Sequence, residues 1–328
     1  MTKTAERQKA AGHDFGLPYS KGLMASRIMA TGLSPARAFH VAELVEKRLH
    51  ARTGAPGAAG AAGGATAVAG AELVDLVLEV LAAEVGERYA ASFAKWQRVM
   101  QLDVPLVVLI GGAPGVGKST IATQLANRLG ITRVIPTDAI REVMRAMFSE
   151  SLMPTLHTSS FDAASLVRHP LPRSADPVLI GFGEQASAVA VGVEALISRA
   201  VDEGTDLIVE GAHVVPGFLD KDRLAGRAVV VQVVVTVDDE DLHRNQLLVR
   251  AHEVRSRPSD RYLEFFDNIR KQQKYVKSLA LQHGVAIIPS DNLDVTLTRV
   301  IELVFNQAIE AVPQQPVAPT AESKRGAR

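Results

Sequence analysis

Residues 112–119 read GAPGVGKS, a match to G-x-x-x-x-G-K-[ST]. The apolar run LVVLI (106–110) stands just before it, and the amphipathic stretch STIATQLANRLG (119–130) overlaps its end. Strand, glycine loop and helix in that order turn backbone N–H groups toward phosphate oxygens, and the helix N-terminus adds a favourable field. The pattern predicts that Gly112, Gly115, Val116, Gly117, Lys118, Ser119 and Thr120 cradle nucleotide phosphates. Lys118 reaches the β- and γ-phosphates, and Ser119 ligates Mg²⁺. Such a loop works at the carboxyl end of a strand feeding a helix, which commits the chain to an α/β sheet.

The remaining pattern agrees. TRVI (132–135), LIVEG (207–211), VVVQVVVTV (229–237) and VAIIP (285–289) read as four more strands. The stretch EQASAVAVGVEALISRAVDEG (184–204) reads as a long helix, and 239–283 is helical and rich in charge. Strands alternating with helices predict a five-stranded parallel sheet covered on both faces. Ahead of it, apolar residues recur at helical spacing over 20–32, 34–50 and 71–100, with a break at Gly86. Residues 1–100 are thus expected to form a small helical domain, interrupted by a flexible Gly/Ala-rich loop at 54–71. The α/β domain is expected over 101–312, and the Pro-rich polar tail 313–328 is expected to be disordered.

Composition narrows the partners. Lys plus Arg and Asp plus Glu both number 36, so overall charge leaves no footprint for nucleic acid or an anionic membrane. The absence of cysteine excludes disulfides and thiolate chemistry and fits a reducing compartment. No apolar run approaches the length of a membrane span, and the polar start MTKTAERQKAAGHD has no signal-peptide core. A soluble cytoplasmic protein is expected, with no nucleic acid or membrane partner. The sequence is compatible with a homo-oligomer.

A phosphate loop gives nucleotide binding without naming the reaction. The guanine-reading Asn-Lys-x-Asp of regulatory GTPases is missing, and the third strand ends in the single Glu210 rather than Asp-Glu. Asp138 follows the second strand, where ligands of open α/β sheets bind. It reads both as N-cap of the helix AIREVMRAMF and as the group that accepts or positions an acceptor hydroxyl, and as a second oxygen ligand to Mg²⁺ with Ser119. Arg141 and Arg145, four residues apart, share a helix face and favour an acceptor that already carries phosphate or carboxylate. Their alternative reading is a solvated basic stripe with Glu142 as partner. His213 is expected at the mouth of the cleft. The segment after the fourth strand carries Arg244, Arg250, Arg255, Arg257 and Arg261, of which one or two are expected to act in a lid. Arg250 and Arg257 are the chosen catalytic pair, beside Lys118, Asp138 and Glu210. The stretch IIPSDN (287–292), after the fifth strand, is expected to pass the adenine base.

Taken together, GGAPGVGKSTIATQLANRLG, VIPTDAIREVMR, LMPTLHTSSF, VLIGFGEQASAVAVGVEALI, VEGAHVVPG and RPSDRYLEFFDNIR resemble the 2-phosphoglycerate kinase family over about 105–292. The resemblance implies a P-loop kinase-type fold. It also implies transfer of the γ-phosphoryl of Mg-ATP to 2-phosphoglycerate, giving 2,3-bisphosphoglycerate. Arg141, Arg145, His157, Arg168, His213 and Lys221 are the cations or histidines available to such a small anionic phosphorylated substrate. The first hundred residues look like an ATP-cone, a small regulatory nucleotide-binding domain. The Gly/Ala stretch departs from that pattern. Two alternatives stay open at this point. One is a kinase for another anionic acceptor, such as an inositol phosphate or sugar phosphate. The other is a non-catalytic nucleotide-sensing regulator.

Overall fold

The computed structural model describes residues 20–53, 70–168, 170–253 and 259–311. Most of the expected Gly/Ala loop and the whole expected tail lie outside that set. Four N-terminal helices come first: α1 (Lys21–Met29), α2 (Pro35–Thr53), α3 (Gly70–Glu84) and α4 (Glu87–Met100). Gly86 separates the last two with φ 111°, a conformation other residues resist. Then β1 (Leu106–Gly111), α5 (Lys118–Leu129), β2 (Val134–Pro136), α6 (Thr137–Met147) and two 3-10 turns (Pro154–His157 and Ser160–Leu166) follow. The chain continues through α7 (Pro177–Asp202), β3 (Leu207–Gly211), β4 (Val229–Thr236), α8 (Glu240–Glu253), α9 (Ser259–Glu264), α10 (Phe266–Gln282), β5 (Ala286–Pro289) and α11 (Leu293–Glu310).

The sheet is parallel, with strand order β2-β3-β1-β4-β5. From β1 the chain first builds one side of the sheet and then crosses to the other. That reversal opens a crevice at the carboxyl end of β1, where the glycine loop sits. Register brings the strand ends level: Glu210 lies opposite both Ile110 and Pro136.

Alternation along β1 divides the core in two. Val107 and Leu109 pack with Val189, Val193 and Ile197 of α7. Val108 and Ile110 belong to a larger cluster that runs through Ile121 and Leu125 of α5 and Val300, Val304 and Phe305 of α11 into Leu76, Leu81, Phe93 and Trp96 of the N-terminal helices. One continuous apolar core therefore joins the four N-terminal helices to the α/β unit. Among the described residues, α7 alone is long and apolar enough to cross a membrane. Here its apolar face covers the sheet.

Two helix starts differ from the sequence expectation. Helix α7 begins at Pro177 rather than near 184, because Asp176 caps it, accepting from the Val178 N–H at 2.9 Å, with Pro177 in the first turn. Helix α6 begins at Thr137, with Pro136 as its N-cap, so Asp138 is a first-turn residue and not the cap. Strand β2 runs straight into the helix and leaves no room for a separate capping residue.

Candidate active site

The glycine loop bends as its sequence requires. Gly115 and Gly117 take left-handed φ of 86° and 85°, and Gly117 is the N-cap of α5. Helix α8 braces the loop from outside: the buried His243 donates from Nε2 to the Pro114 carbonyl at 2.8 Å and accepts at Nδ1 from Arg270 at 3.2 Å. Burial pushes the His243 pKa down, which favours this neutral donor–acceptor form. Nothing in the sequence of α8 marked His243 for that role. Lys118 is buried, and its ammonium donates to Ala113 O at 2.7 Å.

A cavity of about 590 Å³ opens beside the loop. Lys118, Ser119, Asp138, Arg141 and Glu210 all line it, together with Glu142, Ser159–Phe161, Arg261 and Tyr262. Ser119 Oγ donates to Glu210 Oε1 at 2.8 Å. This serine–carboxylate pair, with Asp138 on the same cavity wall, is an all-oxygen donor set. Mg²⁺ takes one or two such ligands alongside substrate phosphates and waters, so the residues fit it. No denser metal cluster of His, Asp or Glu occurs among the described residues.

Other expected ligands go elsewhere. His213 is 1 % exposed and lies beneath the cavity wall instead of at its mouth. The chain turns under at Gly211 (φ 153°), where an added Cβ would stand 1.8 Å from Thr137 Oγ1. Gln185 donates from Nε2 to the carbonyls of Thr155 and Thr158, so its Oε1 faces His213 Nε2 at 3.0 Å and must accept. His213 Nδ1 is then the acceptor for the Thr137 hydroxyl at 2.9 Å. Burial drives its pKa down to about 4, against the pull of Asp138, with Arg141 and Lys118 adding to the fall. His213 is a neutral brace under the first turn of α6.

Arg141 reaches the cavity, but its guanidinium is already engaged. Nη1 donates to Leu156 O (2.8 Å) and Thr158 O (3.1 Å), and Nη2 to Glu142 Oε1 (2.6 Å). Arg145 pairs with Glu142 Oε2 at 2.6 Å and does not line the cavity. The glutamate between the two arginines holds both. His157 contacts Phe148 O at 2.9 Å and Arg168 donates to Ser151 O and Glu150 O; both serve local loop structure. Lys221 precedes a short 3-10 turn and is likewise not a cavity residue. The side chain of Arg250 and the whole of Arg255 and Arg257 lie outside the described residues. Arg261 is described and lines the cavity. In the sequence it is one of five arginines after the fourth strand, and Ser159–Phe161 stands out only as part of LMPTLHTSSF.

A family model described as an AAA domain matches residues 107–275. The chain is 38 % identical to a 2-phosphoglycerate kinase of Methanothermobacter thermautotrophicus, covering 88 % of this chain and 90 % of that protein. It is 33 % identical to the 2-phosphoglycerate kinase of Methanopyrus kandleri (93 % and 89 % covered) and 35 % to that of Pyrococcus horikoshii (91 % and 93 %).

Proposed function

The chain belongs to the 2-phosphoglycerate kinase family, and from that premise we propose that it moves the γ-phosphoryl group of ATP to the free hydroxyl of 2-phosphoglycerate, giving 2,3-bisphosphoglycerate. The observation that carries this reading is one cavity lined by the loop residues Lys118 and Ser119 and by Asp138, Glu210 and Arg141.

In this reading the loop amides and Lys118 hold the β- and γ-phosphates. Ser119 and Asp138 are the residues to hold Mg²⁺, and Glu210 keeps Ser119 oriented. A bound magnesium ion would supply charge compensation at the phosphate oxygens. Asp138 accepts the proton of the acceptor hydroxyl as its oxygen bonds to the γ-phosphorus. The bond to the β,γ-bridging oxygen breaks, and ADP leaves. Positioning and charge compensation carry most of the catalysis in such transfers. Arg250 and Arg257 would meet the transferred group as lid cations. The first hundred residues are read as an ATP-cone-like unit, and the lack of cysteine accords with a cytoplasmic setting.

The test uses purified protein, Mg-ATP and a panel of phosphorylated acids, with ADP release followed and products identified by phosphorus NMR. Formation of 2,3-bisphosphoglycerate from 2-phosphoglycerate alone is expected. Background release with every acceptor would overturn the kinase reading. Fast release without acceptor would make the protein a hydrolase.

A further inference from the structure

We propose that Arg261 anchors the phosphate of the acceptor and that Asp162 is its stand-in partner until the acceptor arrives; this rests on reading the cavity as an acceptor site. Three cations line that cavity among the described residues: Lys118, Arg141 and Arg261. Lys118 belongs to the nucleotide loop. Arg141 is only 14 % exposed and supports two carbonyls of the opposite wall, so it cannot turn to a ligand without releasing that wall. An acceptor bearing a phosphate and a carboxylate needs a cation with donors to give.

Arg261 meets that need. Its side chain is 47 % exposed, and one nitrogen, Nη2, makes both of its described contacts: Asp162 Oδ2 at 2.8 Å and Thr158 Oγ1 at 3.5 Å. A half-exposed ion pair contributes little net stability, so it exchanges readily. A phosphate offers the guanidinium two parallel charge-assisted bonds in place of one. Asp162 does not lose its place when Arg261 leaves, because Thr158 Oγ1 also donates to its Oδ2 at 3.0 Å. The backbone under Arg261 is held as well. The next residue, Tyr262, is buried, with its ring 5.4 Å from that of Phe161, which ties α9 to the cavity wall. Exchange therefore asks only a side-chain swing.

The two members of the pair carry opposite predictions. Arg261→Ala should raise the KM for 2-phosphoglycerate about tenfold to a hundredfold, the range for a lost charge-assisted contact, and leave the KM for ATP within about twofold. Asp162→Asn keeps an oxygen for Thr158 but removes the competing charge, and should lower the acceptor KM by about twofold to fivefold. If Asp162→Asn instead raises the acceptor KM, the pair is a structural brace and the proposal falls. Equal effects of Arg261→Ala on both substrates would also overturn it. Should the wild-type protein transfer phosphate to no acceptor, the family function has failed separately. Calorimetric titration with 2-phosphoglycerate alone then decides. Weaker binding to Arg261→Ala and tighter binding to Asp162→Asn support the anchor, and identical affinities across the three proteins refute it.

Discussion

On one side of the cavity stands glycine-loop backbone; on the other, side chains hold backbone still. The side proposed for the nucleotide is a glycine loop whose left-handed φ angles come from glycines close together in sequence, with His243 of α8 as outside brace. The side proposed for the acceptor is a pair of 3-10 turns and their connection, whose carbonyls take donors from elsewhere in the chain. Side chains from three helices supply them. Arg141 of α6 donates to Leu156 O and Thr158 O, and Gln185 of α7 to Thr155 O and Thr158 O. From α10, Gln272 donates to Ser160 O and Asn268 to Phe161 O. Irregular backbone becomes a fixed wall once each buried acceptor has a donor. The glycine loop is thus largely built from its own sequence, while the wall opposite can be recast by changing side chains on three separate helices.

Asp138 stands where the two sides meet, and its replacement should have the largest effect. Asp138→Asn is expected to keep ATP affinity and lose transfer by about 10²- to 10⁴-fold, measured as kcat beside nucleotide Kd. Lost ATP affinity with normal turnover would move Asp138 to the nucleotide side. Next is the seam between β3 and α6. Gly211→Ala places a Cβ 1.8 Å from Thr137 Oγ1 and should cost about 3 kcal/mol in chemical denaturation. An unchanged midpoint would mean the seam is loose.

The buried brace gives the third test. The folded pKa of His213 is pushed down to about 4 from an ordinary 6.5, so the unfolded chain takes up the proton at higher pH. Its contribution is intact above pH 6.5 and shrinks as pH falls toward 4, by roughly 3 kcal/mol in all. His213→Asn, whose Oδ1 can replace Nδ1 as acceptor, should flatten that part of the stability profile between pH 7 and 4. A wild-type profile in the variant would assign the slope to other groups. The smallest effects separate the two arginines of α6. Arg141→Ala should raise the acceptor KM about tenfold, more than the ATP KM, and cost about 2 kcal/mol of stability. Arg145→Ala, which removes an exposed pair, should change stability by less than about 0.5 kcal/mol and leave both KM values unchanged. Equal behaviour of the two would erase the distinction between wall support and surface pairing.

The same contrast explains what could be read in advance. The glycine loop, the five strands and the helix break at Gly86 are local patterns, and each appears in the structure close to where the spacing puts it, the second strand shifted to Val134–Pro136. Asp138 and Glu210 reach one cavity because parallel strands end level, a general property of such sheets. His213 is buried instead of facing the cleft mouth because its direction depends on the turn at Gly211, which buries Val214 and Val215 with it. Arg141 and Arg145 looked equivalent at four-residue spacing. Only the approach of the Pro154–His157 turn makes one a wall support and leaves the other in solvent. Gln185 and Gln272 carried no signal, since their partners lie 30 and 112 residues away in sequence.

Helix α11 (Leu293–Glu310), near the end of the chain, lies between the sheet and the N-terminal helices and shares its core with both. During synthesis those first helices therefore emerge long before the surface they pack on exists. Phe93 and Trp96 belong to a core that stays incomplete until Val304 and Phe305 have left the ribosome. The described fold closes by α11, and a chain cut short there would leave its N-terminal helices the most exposed to aggregation.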